Sequence, residues 1–261
     1  MIRCAQVRRF VIRSKLCNGI SQRSGTPQVV VSLTSYPARF ESIYYCLKSL
    51  LLQTVKPDAI ILWLDCPLEE VPSTILDLQL YGIMIRCGVE DLKPHKKYYF
   101  AMQQYPDAVV VTVDDDVFYP PTMLESLLQK HQQYPDCVCA RRVHKMTLDN
   151  NGRVRPYGQW LDKYKKELLP SYLLVPTGVG GVLYPPHCLD QRVFDKQMLC
   201  DTCLMADDIW LKWMELLHGT KVVWVPNKIL TPPCTEHSQE TSLYLSNVHQ
   251  NKNEVLPVIF I

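Results

Sequence analysis

The sequence predicts an α/β protein: a mostly parallel central sheet flanked by helices, in a single domain. Three observations carry this. Over roughly the first 120 residues, short apolar runs rich in β-branched residues alternate with segments of helical periodicity, the pattern of βαβ units. The runs are continuously apolar instead of alternating, as strands buried on both faces are. Finally, Pro57-Asp58, Pro106-Asp107 and Pro135-Asp136 each precede such a run, with Pro ending a helix and Asp supplying the turn.

The first ordered element is expected at Val29–Leu33, followed by the turn Ser35-Tyr36-Pro37. From Glu41 to Leu52 the apolar residues Ile43, Cys46, Leu47, Leu50 and Leu51 fall on one helical face. Ala59–Leu64 reads as a second buried strand, Gly82–Ile85 as a shorter third, Lys96–Tyr105 as a helix and Ala108–Val113 as the most apolar strand. A helix begins near Pro121. Asp149-Asn150-Asn151-Gly152 is a turn between strand-like stretches. Tyr172–Val175 and Gly181–Tyr184 flank a glycine-rich loop, Asp207–Leu217 reads as a helix and Lys221–Val225 as a last strand. With no low-complexity linker in view, the chain divides into a leader (1–26), one catalytic-sized domain (27–230) and a polar tail (231–261) that completes the active site.

The 261 residues include 28 Lys and Arg against 26 Asp and Glu. Arg3, Arg8, Arg9, Arg13, Lys15 and Arg23 stand in residues 1–25 with no carboxylate among them, so the remainder carries 22 basic and 26 acidic residues. An acidic body of that kind argues against nucleic acid as a partner, since phosphate neutralisation needs a basic face. No apolar run approaches the ~20 residues that cross a bilayer, and the leader lacks a signal-peptide core. The eleven cysteines are expected to be reduced core residues of a cytoplasmic protein. Cys137 and Cys139 would share one face of a strand, which does not suit a zinc knuckle.

The acidic triplet Asp114-Asp115-Asp116 directly follows the apolar strand. Adjacent carboxylates repel one another, and a hard divalent cation is the natural counter-charge. The C-terminal end of a central strand is also where such sheets bind nucleotides.

The run Val110–Asp116 resembles the DxD motif of GT-A fold glycosyltransferases, which use nucleotide-sugar donors. The resemblance extends over roughly residues 28–225. Val30–Pro37 is similar to that fold's first strand and nucleotide-binding loop, and Pro94–Ala101 to the helix before the DxD strand. Val179-Gly180-Gly181-Val182 resembles its glycine loop, and Ala206-Asp207-Asp208-Ile209-Trp210 its xED motif. These motifs in order imply a GT-A, Rossmann-like, DxD-containing enzyme of the bacterial glycan-assembly type.

That resemblance implies the roles. Asp114 and Asp116 would ligate Mn²⁺ or Mg²⁺ on the donor diphosphate, Asp116 the more directly, while Asp115 touches the ribose or is structural. Asp208 would be the general base and Asp207 a sugar-binding acid, although the two could exchange and Asp207 replaces the family's usual Glu. Their alternative is helix capping, because carboxylates favour a helix N-terminus. One of Lys96 and Lys97 is expected to be solvated and the other to reach the diphosphate or base. Thr34 and Arg39 would hold base and phosphates, and Gly180 and Gly181 would allow close approach of donor or acceptor. His237, with His249 as its rival, would complete the metal shell. Tyr157, Trp160 and Trp210 are candidates for stacking on sugars.

The implied activity is metal-dependent, inverting transfer of a hexosyl or related group from a UDP-sugar to a glycan or lipid-linked acceptor, as in polysaccharide biosynthesis. The alternatives are a sugar nucleotidyltransferase, which would release pyrophosphate, and a catalytically silent carbohydrate- or nucleotide-binding relative. The basic leader (1–25) is expected to dock on an anionic membrane surface, making the protein peripheral on the inner face.

Overall fold

The computed structural model describes residues 2–22, 28–227 and 233–235. In chain order its elements are α1 (Ile2–Arg13), β1 (Val29–Thr34), α2 (Phe40–Leu51), β2 (Ala59–Trp63), α3 (Ser73–Leu76), β3 (Ile83–Arg86), α4 (Lys96–Gln104), β4 (Val109–Thr112), α5 (Met123–Gln133), β5 (Val138–Ala140), β6 (Val143–Lys145), β7 (Leu174–Pro176), β8 (Val182–Tyr184), α6 (Lys196–Thr202), α7 (Asp207–His218) and β9 (Val222–Trp224). Seven strands form one sheet in the order β3-β2-β1-β4-β8-β5-β9. All its pairings are parallel except those of β8, which runs against both neighbours. β6 and β7 make a separate antiparallel ribbon.

Side chains on both faces of the strands are buried, which is why the strands read as continuous apolar runs. Val31, Leu33, Ile60, Leu62 and Val111 pack with Ile43 and Leu47 of α2 and Leu124 and Leu127 of α5. Val30, Ile61 and Val110 face the other way, against Ala101 of α4. A third cluster joins β5, β8 and β9 to α7 through Val138, Val182, Val222, Trp210 and Met214. One of the Pro-Asp turns has a visible function. The Asp58 carboxylate accepts the backbone N–H groups of Gln28 and Val29, both at 2.9 Å, and also the Ser21 hydroxyl. It therefore ties the start of β1 to the entry of β2.

Order begins before Val29, contrary to the sequence expectation. The α1 helix lies against α2, burying Val7 and Val11 with Phe118 beside Tyr45 and Leu52. Two valines at i, i+4 suffice to dock a short helix when a partner surface is present. Lys48 reinforces the contact, its Nζ donating to the Ile12 carbonyl at 3.1 Å. No described helix is long and apolar enough to cross a membrane.

Candidate active site

A cleft of about 810 Å³ opens beyond the carboxyl ends of β1 and β4, where parallel sheets hold ligands. Thr34, Arg39, Lys96, Lys97, Asp114, Asp115, Asp116, Asp207 and Asp208 all line it. The α7 helix begins at Asp207, so its first turn meets the triplet that follows β4.

The three triplet acids have different partners. Asp115 is buried; it accepts a 2.6 Å hydrogen bond from the Ser35 hydroxyl and pairs with the Arg39 guanidinium. Burial still pushes its proton affinity up, although Arg39 and Ser35 oppose this. Arg39 ends the 3-10 turn Pro37–Arg39 and also lies 3.7 Å from Asp116. Burial works against its charge, but Asp115 and Asp116 hold its pKa above the ordinary value. Asp116 is pushed up to about 7, first by burial and then by Asp114 and Asp115, with Arg39 only partly offsetting them.

Asp114 belongs to a second network. Lys97, 4 % exposed, places Nζ 2.7 Å from Asp114 Oδ1 and 2.9 Å from Asp207 Oδ2. Burial disfavours the ammonium, but Asp114, Asp207 and Asp208 hold it firmly charged. Burial would also raise Asp207, yet Lys97 and then His95 bring it below the usual carboxylate range. Asp208 goes the other way: burial and the neighbouring Asp207 drive its proton affinity well up, against Lys97. Two adjacent carboxylates thus differ in proton affinity because one holds the lysine and the other does not. Asp208 Oδ1 accepts the Gly178 N–H at 3.1 Å.

Carboxylate oxygens in the cleft suit a hard divalent cation. The raised proton affinity of Asp116 marks negative charge that a cation would relieve. Among the described residues no three carboxylate, imidazole or thiolate groups converge as a complete ligand set. Asp114 and Asp116, the acids expected as ligands, both line the cleft, and His237 and His249 lie outside the described residues.

Residues 31–182 match glycosyl transferase family 2. The chain belongs to that family. No curated protein matches the sequence. Among solved structures, the mannosyltransferase PcManGT from Pyrobaculum calidifontis, in complex with GDP-Man and Mn2+, is similar at 11 % identity and a TM-score of 0.52. The alignment covers 95 % of this chain and 67 % of that one. A CMP:2-keto-3-deoxy-manno-octonic acid synthetase complexed with CTP aligns over 87 % of this chain and 98 % of its own, at 11 % identity and a TM-score of 0.45. The GT-A fold expected from these motifs is present, and the family is one of glycosyltransferases.

In this family 2 member, neither lysine of the Lys96-Lys97 pair is solvated, contrary to expectation. Lys96 is 3 % exposed, with Nζ 3.0 Å from both Asp65 and Asp91. Burial would raise Asp91, but Lys93 and Lys96 bring it down to about 2. Thr34 faces the cleft while its hydroxyl donates to the Trp63 carbonyl at 2.8 Å. Gly180 and Gly181 do not line the cleft. Gly181 has φ +86, which favours glycine, and Gly180 packs on the Arg142 backbone. The glycine that meets the acids is Gly178, where a Cβ would lie 2.6 Å from Asp114 Oδ1 and 2.8 Å from Lys97 Nζ.

Trp210 is fully buried in the core and cannot stack on a sugar. Tyr157 lines the cleft, with Trp160 packed on it at 4.9 Å. The opposite wall carries residues absent from the sequence reading: Arg142, Thr177 and His144, whose Nδ1 is 2.9 Å from Asp162. They sit on or beside β6 and β7, short strands with no strong pattern of their own. Ser35 was within reach, since it directly follows Thr34 in the first-strand motif.

Proposed function

We propose that this family 2 protein transfers a sugar from a nucleoside-diphosphate donor, a UDP-sugar, to a hydroxyl of a glycan or lipid-linked acceptor, with inversion. The observation that carries the reading is the meeting of the triplet and the α7 acids in one cleft, bridged by Lys97. Metal-dependent donor binding and acceptor deprotonation need acids adjacent in space, and the two sets of acids share this cleft.

Asp114 and Asp116 would hold Mn²⁺ or Mg²⁺, which when bound neutralises charge developing on the leaving diphosphate. Arg39 and Ser35 fix Asp115 and keep that side of the cleft ordered. Thr34 and Arg39 form the wall against which the donor base and phosphates lie. Asp208 is the general base. Its raised proton affinity makes it a stronger proton acceptor than an ordinary carboxylate, and the Gly178 N–H orients its carboxylate. The acceptor hydroxyl gives its proton to Asp208 as its oxygen attacks the anomeric carbon. The bond to the diphosphate breaks, and nucleoside diphosphate leaves with the electron pair. Asp207, committed to Lys97, positions Asp208 without accepting that proton.

A screen of nucleotide sugars with Mn²⁺, read by nucleotide product, tests this. Release of a nucleoside diphosphate is expected, whereas pyrophosphate release would indicate nucleotidyl transfer and sink the proposal. Asp208→Asn should retain donor binding and lose transfer; undiminished transfer removes Asp208 as base.

A further inference from the structure

The chain from Leu161 to Tyr172 forms one rim of the cleft. Leu161 pairs across to Lys145 of β6, and the Tyr164 N–H donates to the Val143 carbonyl at 2.8 Å. Ser171 then bridges to Val222 of β9. Between these anchors, Lys165, Lys166, Leu168 and Leu169 are exposed. Leu168 is 56 % and Leu169 68 % exposed, with Leu161 at 46 % on the same segment. Asp162 and Lys163 of this segment line the cleft mouth.

We propose that this rim, residues 161–169, docks on an anionic lipid bilayer. Charge complementarity selects the occupant. Lys163, Lys165 and Lys166 are exposed, while Glu167 is held by Lys145 at 2.5 Å. Asp162, the segment's other carboxylate, pairs with Lys163 as well as Arg142 and His144, so the charge that the segment presents is that of Lys165 and Lys166. Exposed leucines flanked by lysines are what an anionic interface accommodates, with ammonium groups at the headgroups and apolar side chains at the acyl boundary. The rim adjoins the side of the cleft bearing Arg142, His144 and Tyr157, so docking would bring a membrane-borne acceptor to the cleft mouth. That last consequence rests on the proposed function; the docking itself does not.

The test is co-sedimentation of the full chain with phosphatidylcholine vesicles with and without phosphatidylglycerol, at low and high salt, without donor or metal. Binding is expected only with phosphatidylglycerol and should weaken with salt. Lys165→Ser with Lys166→Ser should weaken it roughly 10- to 30-fold, and Leu168→Ser with Leu169→Ser at least about tenfold. Circular dichroism and donor turnover in solution should be unchanged in both variants. An Arg8→Gln, Arg9→Gln, Arg13→Gln variant reports on the α1 surface, and it should retain most of the binding. Failure of the wild type to bind, or wild-type binding by both rim variants, overturns the proposal. So does loss of binding confined to the α1 variant, or a wild-type dimer that the leucine variant abolishes.

Discussion

Gly178 sits directly over Lys97: a Cβ on the glycine would lie 2.8 Å from Lys97 Nζ and 2.6 Å from the Asp114 oxygen it holds. This glycine does not occupy the left-handed region. It is required for space, because the Lys97–Asp114 pair fills the volume a side chain would take. Gly178→Ala must push the pair apart, and overpacking of this kind costs about 1–3 kcal/mol. Transfer is expected to fall more than donor affinity, since Asp208 is held by the same residue's N–H. Kinetics alongside nucleotide-binding calorimetry would check this, and an unaltered kcat would refute it.

Lys97→Met leaves Asp114 and Asp207 facing each other without their shared cation. Removing one partner from a buried ion pair typically costs about 3–5 kcal/mol. Chemical denaturation should show a loss of that order. Lys97→Arg is not expected to rescue, because a guanidinium has no room beneath Gly178.

A second buried pair lies away from the cleft. Lys212 and Glu215 of α7 are 1 % and 0 % exposed and 3.0 Å apart, and burial pushes Glu215 up to about 7 against the pull of Lys212. Lys212→Met alone should destabilise strongly. Lys212→Met with Glu215→Leu should recover most of the loss, because replacing both charges by apolar groups avoids their desolvation. A double-mutant cycle in urea measures the difference, and additive losses would contradict the coupling.

His95 is fully buried between the Tyr98 hydroxyl and the Cys203 carbonyl, each at 2.9 Å. Burial, helped by Lys97 and opposed by Asp207 and Cys203, lowers its pKa to about 4. From about 6.5 down to 4 the unfolded chain therefore binds a proton that the native imidazole refuses. The stabilisation is full above the ordinary histidine value and is lost as pH falls toward 4, by roughly 3 kcal/mol. His95→Gln should flatten this part of the stability–pH profile; an equally steep profile in the variant would count against it. His144, also lowered to about 4 mainly by burial, would leave its own slope over the same pH range.

Much of the fold was legible because local patterns report local facts. The continuous runs at Val29, Ala59 and Val109 showed strands buried on both faces, and helical spacing from Ile43 to Leu51 located α2 to within a residue or two. The α1 helix was not legible, since Val7 and Val11 acquire meaning only against Phe118. The expectation that one of Lys96 and Lys97 is solvated fails for a similar reason: nothing near Lys96 in sequence announces that Asp65 will meet it.

By itself, the sequence determined the class of sheet, the acid triplet at the carboxyl end of β4 and the acidic start of α7. These follow from residue type and spacing within single elements. Tertiary structure alone decided that one lysine would join the triplet to the α7 acids and that Gly178, not Gly180 or Gly181, would give way to it. It also decided that Asp207 would keep its charge while Asp208 gained proton affinity. Those outcomes depend on burial and on distances of about 3 Å between groups on separate elements. At that range in a water-poor site, Coulomb and desolvation terms outweigh local preference.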